Sequence, residues 1–376
     1  MEKDMPNIAI LSPNGNTYSE TFIQAHKLLP NVRVFYYFDS SAYPRLEGKG
    51  LLLKGLRKYV LKAWYALRKQ PVGAAGKQAL LLSWRKNNIR LILAEYGNNA
   101  AANIDVIEKS GLPLVVHFHG YDASVKQILD ENKVRYAQVF AYASKVIAVS
   151  RAMEQKLLEL GCPPEKLTYN VYGPNDDFFE VKPHFKNKQF VAAGRFTEKK
   201  APYYTILAFK EVVAKCPDAR LVMAGDGYLR PVCENLAKHF GIEKNIKFIG
   251  VATPGQFRGL LENSIAFVQH SIVAKNGDSE GTPLAVLESG AAGIPVVATR
   301  HAGITDVVLH GQTGLLCGEH DVAEMARNMV SLMENPEIAR SMGEKARGRI
   351  KENFTLDRHL KEIERVVFEA LADKRP

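Results

Sequence analysis

Cysteine is scarce in this sequence. Only Cys162, Cys216, Cys233 and Cys317 occur in 376 residues, and no two of them form a C-x-x-C pair. That scarcity argues against a zinc ribbon or a disulfide scaffold and favours a reducing compartment. Long apolar runs are missing as well. The run Ile8 to Leu11 near the N-terminus meets Pro13 and Gly15 at once. It is too short for the apolar region of a signal peptide or for a membrane span, so neither secretion nor a spanning anchor is expected. There is no short internal repeat and no low-complexity tract. The fingerprint G-x-G-x-x-G is absent after the first strand-like run, where Ser12-Pro13-Asn14-Gly15-Asn16 stands instead. A nicotinamide dehydrogenase is correspondingly disfavoured. Acidic residues almost vanish between Arg45 and Arg90, where twelve Lys/Arg accompany Glu47 alone. That stretch carries +11 of a net +10, so the rest of the chain sums to −1. A local basic patch points to one anionic surface as partner and away from nucleic acid contacts spread over the molecule.

What is present reads as a two-domain globular chain. Apolar residues make up 46% and charged residues 24%, ordinary for a folded protein, and the length suits two domains. Short apolar runs alternate with amphipathic helical stretches. Strands are expected over 7–12, 32–38, 91–95, 114–118, 145–149 and 167–171. A second series is expected over 189–193, 219–224, 246–249, 265–269, 295–298 and 314–317. Near-continuous apolar strands separated by helices imply parallel sheets covered on both faces. The reading is therefore α/β, with two doubly wound domains facing a cleft. They are expected over residues 1–180 and 181–354 and joined through the polar stretch 174–188, with 355–376 as a C-terminal helix. Ligands of such sheets bind at the carboxyl ends of strands, so the residues just after each strand matter most.

Several post-strand segments carry chemistry. Gly15 lets backbone approach a phosphate, though for this loop alone an ordinary turn capped by Ser19 is the better reading. In His117-Phe118-His119-Gly120-Tyr121-Asp122 the two histidines share one strand face. H-x-H suggests a metal, but no third ligand stands in register. Core hydrogen bonding is the better reading for His117 than for His119. Arg195 and Lys200 follow the strand 189–193 and suit a diphosphate, as they would suit a solvated basic loop. Gly225 and Gly227 permit a tight turn and close approach to a ligand. The densest segment is Asp278-Ser279-Glu280-Gly281-Thr282-Pro283-Leu284-Ala285-Val286-Leu287-Glu288. Pro283 suits the first helical position with Thr282 as N-cap. The helix start then offers N–H groups to a phosphate, and Glu288 can accept two hydrogen bonds from vicinal hydroxyls.

That segment resembles the E-x7-E motif of retaining glycosyltransferases of family 4, which have the GT-B fold of two Rossmann-like domains. Ser19-Glu20-Thr21-Phe22-Ile23 and the HFHGYD stretch resemble the exopolysaccharide branch of colanic-acid type. Ala148-Val149-Ser150, Gly194-Arg195…Lys200, Gly225-Asp226-Gly227, His301-Ala302-Gly303-Ile304 and Thr313-Gly314-Leu315-Leu316 are similar to further family blocks. Two departures are Ala201, where the family often has Gly, and the first loop, which lacks the common Gly-Gly pair. The resemblance implies transfer of a hexosyl group from a nucleotide-sugar, by default a UDP-sugar, to a saccharide or polyprenyl-linked saccharide in cell-surface polysaccharide synthesis. It implies that Glu288 binds the ribose and that Glu280 contacts the donor sugar, with His119 touching it from the first domain. Gly281, Thr282, Leu284 and Ala285 would lie near sugar and diphosphate. Arg195 and Lys200 would neutralise the leaving diphosphate, and the base would sit near Gly250 and Val251. No metal and no cofactor are implied, the nucleotide-sugar being a substrate. The C-terminal helix would cross back onto the first domain.

A nucleotide-sugar epimerase of the same fold competes with this reading but needs no acceptor. A glycosidase would need Glu280 and Glu288 to flank a bond, which a loop and a helix turn do not obviously do. A basic nucleic-acid-binding protein lacks both a module and a stacking platform. The basic patch has its own pattern. A helix over 52–69 puts Leu52, Leu53, Leu56, Val60, Ala63, Trp64 and Leu67 on one stripe. Lys54, Arg57, Lys58, Lys62, Arg68 and Lys69 fall opposite, with Leu61 and Tyr65 among them. The stripe fits a domain core. The basic face fits peripheral attachment to an anionic membrane surface, which would place the protein on the cytoplasmic side of the membrane.

Overall fold

The computed structural model describes residues 5–15, 20–39, 43–55, 59–61, 64, 67–68 and 73–373. Contacts divide the chain into Met1–Asn170 with His359–Pro376, and Val171–Arg358.

In the first unit the strands are β1 (Asn7–Leu11), β2 (Arg33–Phe38), β3 (Arg45–Leu46), β4 (Gly50–Leu51), β5 (Ile89–Glu95), β6 (Leu114–His117), β7 (Lys145–Ala148) and β8 (Leu167–Tyr169). They form one sheet in the order β4-β3-β2-β1-β5-β6-β7-β8. From β2 to β8 the pairing is parallel, with Ile10 opposite Tyr36 and Leu93. The unforeseen strands β3 and β4 add an antiparallel edge, Tyr37 facing Leu46. Two residues apiece are too short to show any alternation of apolar side chains. The first sheet is thus mixed, where the sequence suggested a parallel one. Helix Leu356–Ala372 contributes Ile363, Val366, Val367 and Ala370 to the core of this unit, among Ile8, Ile10, Leu93 and Ile147.

The second unit holds β9 (Gln189–Ala193), β10 (Arg220–Ala224), β11 (Ile246–Gly250), β12 (Ala266–Gln269), β13 (Val296–Thr299) and β14 (Gly314–Cys317), ordered β11-β10-β9-β12-β13-β14. Every pairing is parallel. Strand order reverses between β9 and β12, so a crevice for ligands opens at their carboxyl ends. The corresponding reversal in the first sheet lies between β1 and β5.

Residues 171–180, expected with the first domain, belong to the second unit. Phe178 is fully buried there and meets Phe257 edge-on at 6.0 Å. Local signals place the helices as well. Ser150 caps Arg151–Glu159 by accepting from the Met153 N–H, and Thr253 with Gln256 forms a capping box on Pro254–Glu262. Thr282 is not a cap. Pro283 is extended (φ −65°, ψ 119°), which moves the helix start to Leu284, and the helix runs Leu284–Ala291. Of the stripe expected on a helix over 52–69, Leu52 and Leu53 are half-buried in a bend outside any helix, whereas Val60, Trp64 and Leu67 are helical and exposed rather than core. Arg68 lies over the Trp64 ring at 3.8 Å. Leu56, Arg57, Lys58, Lys62, Ala63, Tyr65 and Lys69 lie outside the described residues, as does the expected cap Ser19.

Candidate active site

At the β9/β12 reversal the chain gathers its charged side chains. The loop after β9 brings Arg195 and Lys200, and the loop after β12 brings Glu280. Lys200 Nζ sits 2.9 Å from Glu280 Oε1, with both side chains largely buried. Ser271 Oγ donates to the same oxygen at 3.3 Å. Oε2 of Glu280 receives no hydrogen bond from the described residues, and one acceptor therefore remains for a ligand. Burial alone would raise the Glu280 pKa, but the Lys200 and Lys199 charges outweigh it and hold it at about 2. Burial lowers the Lys200 pKa, with Lys199 and Arg195 adding to the effect and Glu280 opposing it. Lys199 is paired with Asp278 at 2.9 Å. Arg195 is exposed. Its side chain makes no ion pair among the described residues.

Glu288 is partly buried on helix Leu284–Ala291, and its side chain makes no hydrogen bond or ion pair with the described residues. Burial without a partner pushes its pKa up to about 7. Leu284 and Ala285 open the same helix, and first-turn N–H groups have no intrahelical acceptor. Gly281 O accepts from Gly303 N–H at 2.9 Å, and a Cβ on Gly303 would lie 2.2 Å from Thr282 Oγ1. Thr282 is thus packed against a neighbouring loop.

The glycines at the ends of β9, β10 and β11 serve one another. Gly225 N–H donates to Gly250 O, and a Cβ on Gly225 would lie 1.9 Å from Gly194 O. On Gly227 it would lie 2.6 Å from Phe196 O. Three adjacent strand ends can approach this closely only without side chains. Val251 follows, exposed. An open pocket lies at the ends of β9, β10 and β12, lined by Gly194, Arg195, Lys200, Ala224 and Gln269 among others.

In the first unit, Gly15 ends the described part of the β1 loop, where a Cβ would meet the Phe38 ring at 3.0 Å. The two histidines at the end of β6 converge on a residue without an assigned role in the sequence reading, Glu95, the last residue of β5. His119 Nε2 and His26 Nδ1 each lie 2.8 Å from a Glu95 oxygen, and His26 Nε2 lies 3.0 Å from His359 Nε2. Burial alone would raise the Glu95 pKa, but the neighbouring His26 and His119 hold it at about 2. Burial drives the His117 pKa well below its ordinary value. The donors of His26, Glu95 and His117 lie within 4.8 Å of one another, the spacing that could hold a metal ion. Two rings already bond Glu95 at 2.8 Å, however, and the His26 and His117 rings stack at 25°. As it stands, the group is a hydrogen-bonded network around a buried carboxylate. Asp122 explains the rest of the motif: its carboxylate accepts from the N–H groups of Gly97, His119 and Gly120. A carboxylate ending an apolar strand was the available signal for Glu95.

The fold is GT-B. Alr3699/HepE of Anabaena, solved with UDP, superimposes with a TM-score of 0.78 over 96% of this chain and 100% of that one, at 16% identity. Sucrose-phosphate synthase of Thermosynechococcus elongatus does so at 0.75 over 98% and 99%, at 15% identity. Residues 26–169 match the family model Glycosyltransferase Family 4, and residues 175–349 match Glycosyl transferases group 1. The two matches fall one in each unit of the chain. Among relatives, the amylovoran biosynthesis glycosyltransferase AmsK of Erwinia amylovora is 29% identical over 223 residues, 58% of this chain and 55% of AmsK. WcaL of Salmonella typhimurium, a glycosyltransferase attributed to colanic acid biosynthesis, is 28% identical over 241 residues, 63% of this chain and 59% of WcaL. The chain thus matches less than two thirds of the length of these relatives.

Proposed function

We propose that the protein is a retaining hexosyltransferase of cell-surface polysaccharide synthesis. It takes the sugar from a UDP-sugar and gives it to a saccharide or a polyprenyl-linked saccharide. The observation that carries this reading is the pair of carboxylates at the helix start. Glu280 is ionised, with one oxygen on Lys200 and the other without a hydrogen bond from the described residues, and the Glu288 side chain has no partner among them. In this reading Oε2 of Glu280 accepts from a sugar hydroxyl, and Glu288 accepts from the ribose hydroxyls. Gly281, Thr282, Leu284 and Ala285 border sugar and diphosphate, Gly15, Gly225 and Gly227 allow close approach to the donor, and Gly250 and Val251 border the base. Arg195 and Lys200 stabilise the charge that grows on the departing diphosphate, so no metal is required. His119 touches the donor sugar in the working enzyme. UDP and UDP-glucose in the HepE structures, and amylovoran synthesis by AmsK, support the donor and the pathway class. Peripheral attachment to an anionic membrane through residues 45–90 belongs to the same reading, supported by the exposure of Tyr59, Val60, Trp64 and Leu67 within a basic segment.

The test is a thermal-shift screen of nucleotide-sugars, since a ligand at ~100 times its Kd stabilises by ~2.7 kcal/mol. The best donor is then incubated with lipid-linked saccharides in EDTA, and the anomeric configuration of the product is read by NMR. Conversion of the donor without any acceptor would identify an epimerase instead. An inverted product would reject retention, and loss of activity in EDTA restored by Mg²⁺ would reject metal independence.

A further inference from the structure

His301 follows β13, and its side chain is buried beneath the 270–280 loop. Its Nε2 accepts from the backbone N–H of Glu280 at 3.2 Å and lies 3.0 Å from Ser279 Oγ. Its Nδ1 lies 2.6 Å from Oε1 of Glu319, which follows β14. A backbone N–H can only donate, so Nε2 must present its lone pair and the proton must sit on Nδ1, facing the carboxylate. Glu319 Oε2 in turn accepts from Val273 N–H at 3.0 Å, at the other end of the same loop. One histidine and one carboxylate therefore fasten the loop at Val273, Ser279 and Glu280. The side chain of Glu280 is fastened separately, by Lys200 and Ser271. Between them these bonds fix both the backbone and one carboxylate oxygen of Glu280, and they leave the other oxygen aimed by what remains.

We propose that His301 and Glu319 form a positioning dyad that aims Glu280 Oε2 at a hydroxyl of the donor sugar. The dyad rests on the donor reading above. It sets the affinity for the hexosyl part of the donor and leaves the affinity for the nucleoside diphosphate unchanged, because Glu288 and the helix start that serve the nucleotide lie beyond the loop it fastens. Neither residue touches the substrate. Each acts through Glu280.

Two measurements test this. In protein with ¹⁵N-labelled histidine, the long-range ¹H–¹⁵N spectrum of the ligand-free chain shows His301 as the Nδ1–H tautomer. The Nε2–H tautomer would overturn the dyad whatever the protein binds. Calorimetry is then run with UDP and with UDP-glucose, UDP-galactose and UDP-N-acetylglucosamine, using the sugar that binds best. His301→Leu and Glu319→Ala lower the ratio of UDP-sugar to UDP affinity roughly tenfold, the worth of one lost hydrogen bond to a charged group, with UDP affinity unchanged. His301→Gln, whose side-chain oxygen can still accept from Glu280 N–H, restores most of the ratio. This variant also covers the case in which the leucine protein fails to fold. An unchanged ratio in His301→Leu, or equal loss of UDP and UDP-sugar, overturns the proposal while the donor reading stands. A wild-type chain that binds neither UDP nor any UDP-sugar overturns the donor reading and the dyad with it.

Discussion

Glu280 and Glu288 stand eight residues apart and are held in opposite states: the first at a pKa of about 2, the second at about 7. Burial acts on both, and the difference is the partner. Glu280 has Lys200 within 2.9 Å, and Glu288 has no ion pair among the described residues. Environments that drive two carboxyls apart assign them different roles.

On the proposed reading, in which Glu288 holds the ribose, its state makes nucleotide binding depend on pH. Ribose hydroxyls need the carboxylate as acceptor, so UDP affinity rises with pH through about 7 and levels off above it. At pH 6 it should lie ~10-fold below the plateau. Calorimetry in buffers of different ionisation enthalpy will show proton release on binding. The sign for stability is the reverse. A carboxyl whose folded pKa exceeds its unfolded value favours folding only while protonated, and that stability is lost as pH rises from 4.5 through 7. Glu288→Gln should therefore bind UDP weakly, without pH dependence. At pH 8 it should be more stable by on the order of 1 kcal/mol, after discounting for partial exposure.

Lys200 and Arg195 should separate on stability while agreeing on rate. Lys200→Ala strands the Glu280 carboxylate and costs roughly 3 kcal/mol in urea unfolding. Much of that returns in the Lys200→Ala/Glu280→Gln double variant. Arg195→Ala, exposed and without an ion pair among the described residues, changes stability by less than ~0.5 kcal/mol. Both single variants slow transfer, because the charge they face grows as the diphosphate leaves.

Two glycines that look alike in sequence should differ in tolerance. Gly225→Ala puts a Cβ 1.9 Å from a backbone oxygen, at φ +136°, and should cost at least ~2 kcal/mol. Gly15→Ala meets only the edge of the Phe38 ring at 3.0 Å, and ring rotation absorbs it at a cost below ~1.5 kcal/mol. Thermal melting of the two variants decides.

Acid should weaken the second unit through His270. Its Nε2 accepts from His320 N–H at 3.0 Å, and burial lowers its pKa from 6.5 to about 4. The unfolded chain takes up a proton that the folded one refuses, so stability falls as pH drops below 6.5 toward 4. The loss approaches ~3 kcal/mol for this group. His270→Gln, which keeps an acceptor, should flatten the profile of urea midpoints between pH 7.5 and 4.5.

The basic segment predicts binding to anionic liposomes, each Lys or Arg near the surface adding ~1 kcal/mol. Co-sedimentation of the Lys54/Arg57/Lys58/Lys62→Glu variant should fall to the level seen with neutral liposomes. An unaffected variant would leave the patch to the acceptor.

Much of this molecule can be read before folding, for identifiable reasons. Gln189–Ala193 and Gly314–Cys317 are strands over the residues expected, because each is a short apolar run bounded by turn formers. Glu280 and Lys200 were singled out separately, and their ion pair is a property of the strand order. Ala201 departs from the family's usual Gly, and its backbone shows why Gly is common there: it is left-handed, φ +35° and ψ +53°. Other features leave little trace in sequence. His301 and Glu319 are polar loop residues on different strand ends, with no fixed spacing to connect them. Glu95 reads as the last residue of a strand until the histidines close on it. Periodicity places Val60, Trp64 and Leu67 on one stripe but says nothing of what covers it.

Helix Leu356–Ala372 carries a consequence for the order in which the molecule is made. The second unit is one continuous segment, complete once residue 358 has left the ribosome. The first unit is not complete then, because Ile363, Val366 and Val367 belong to its core and His359 to its histidine network. During vectorial synthesis the half made first must therefore wait for the half made second. Throughout that interval the apolar surface around Ile8, Ile10 and Leu93 stays open to chaperones, and to the aggregation that such surface invites.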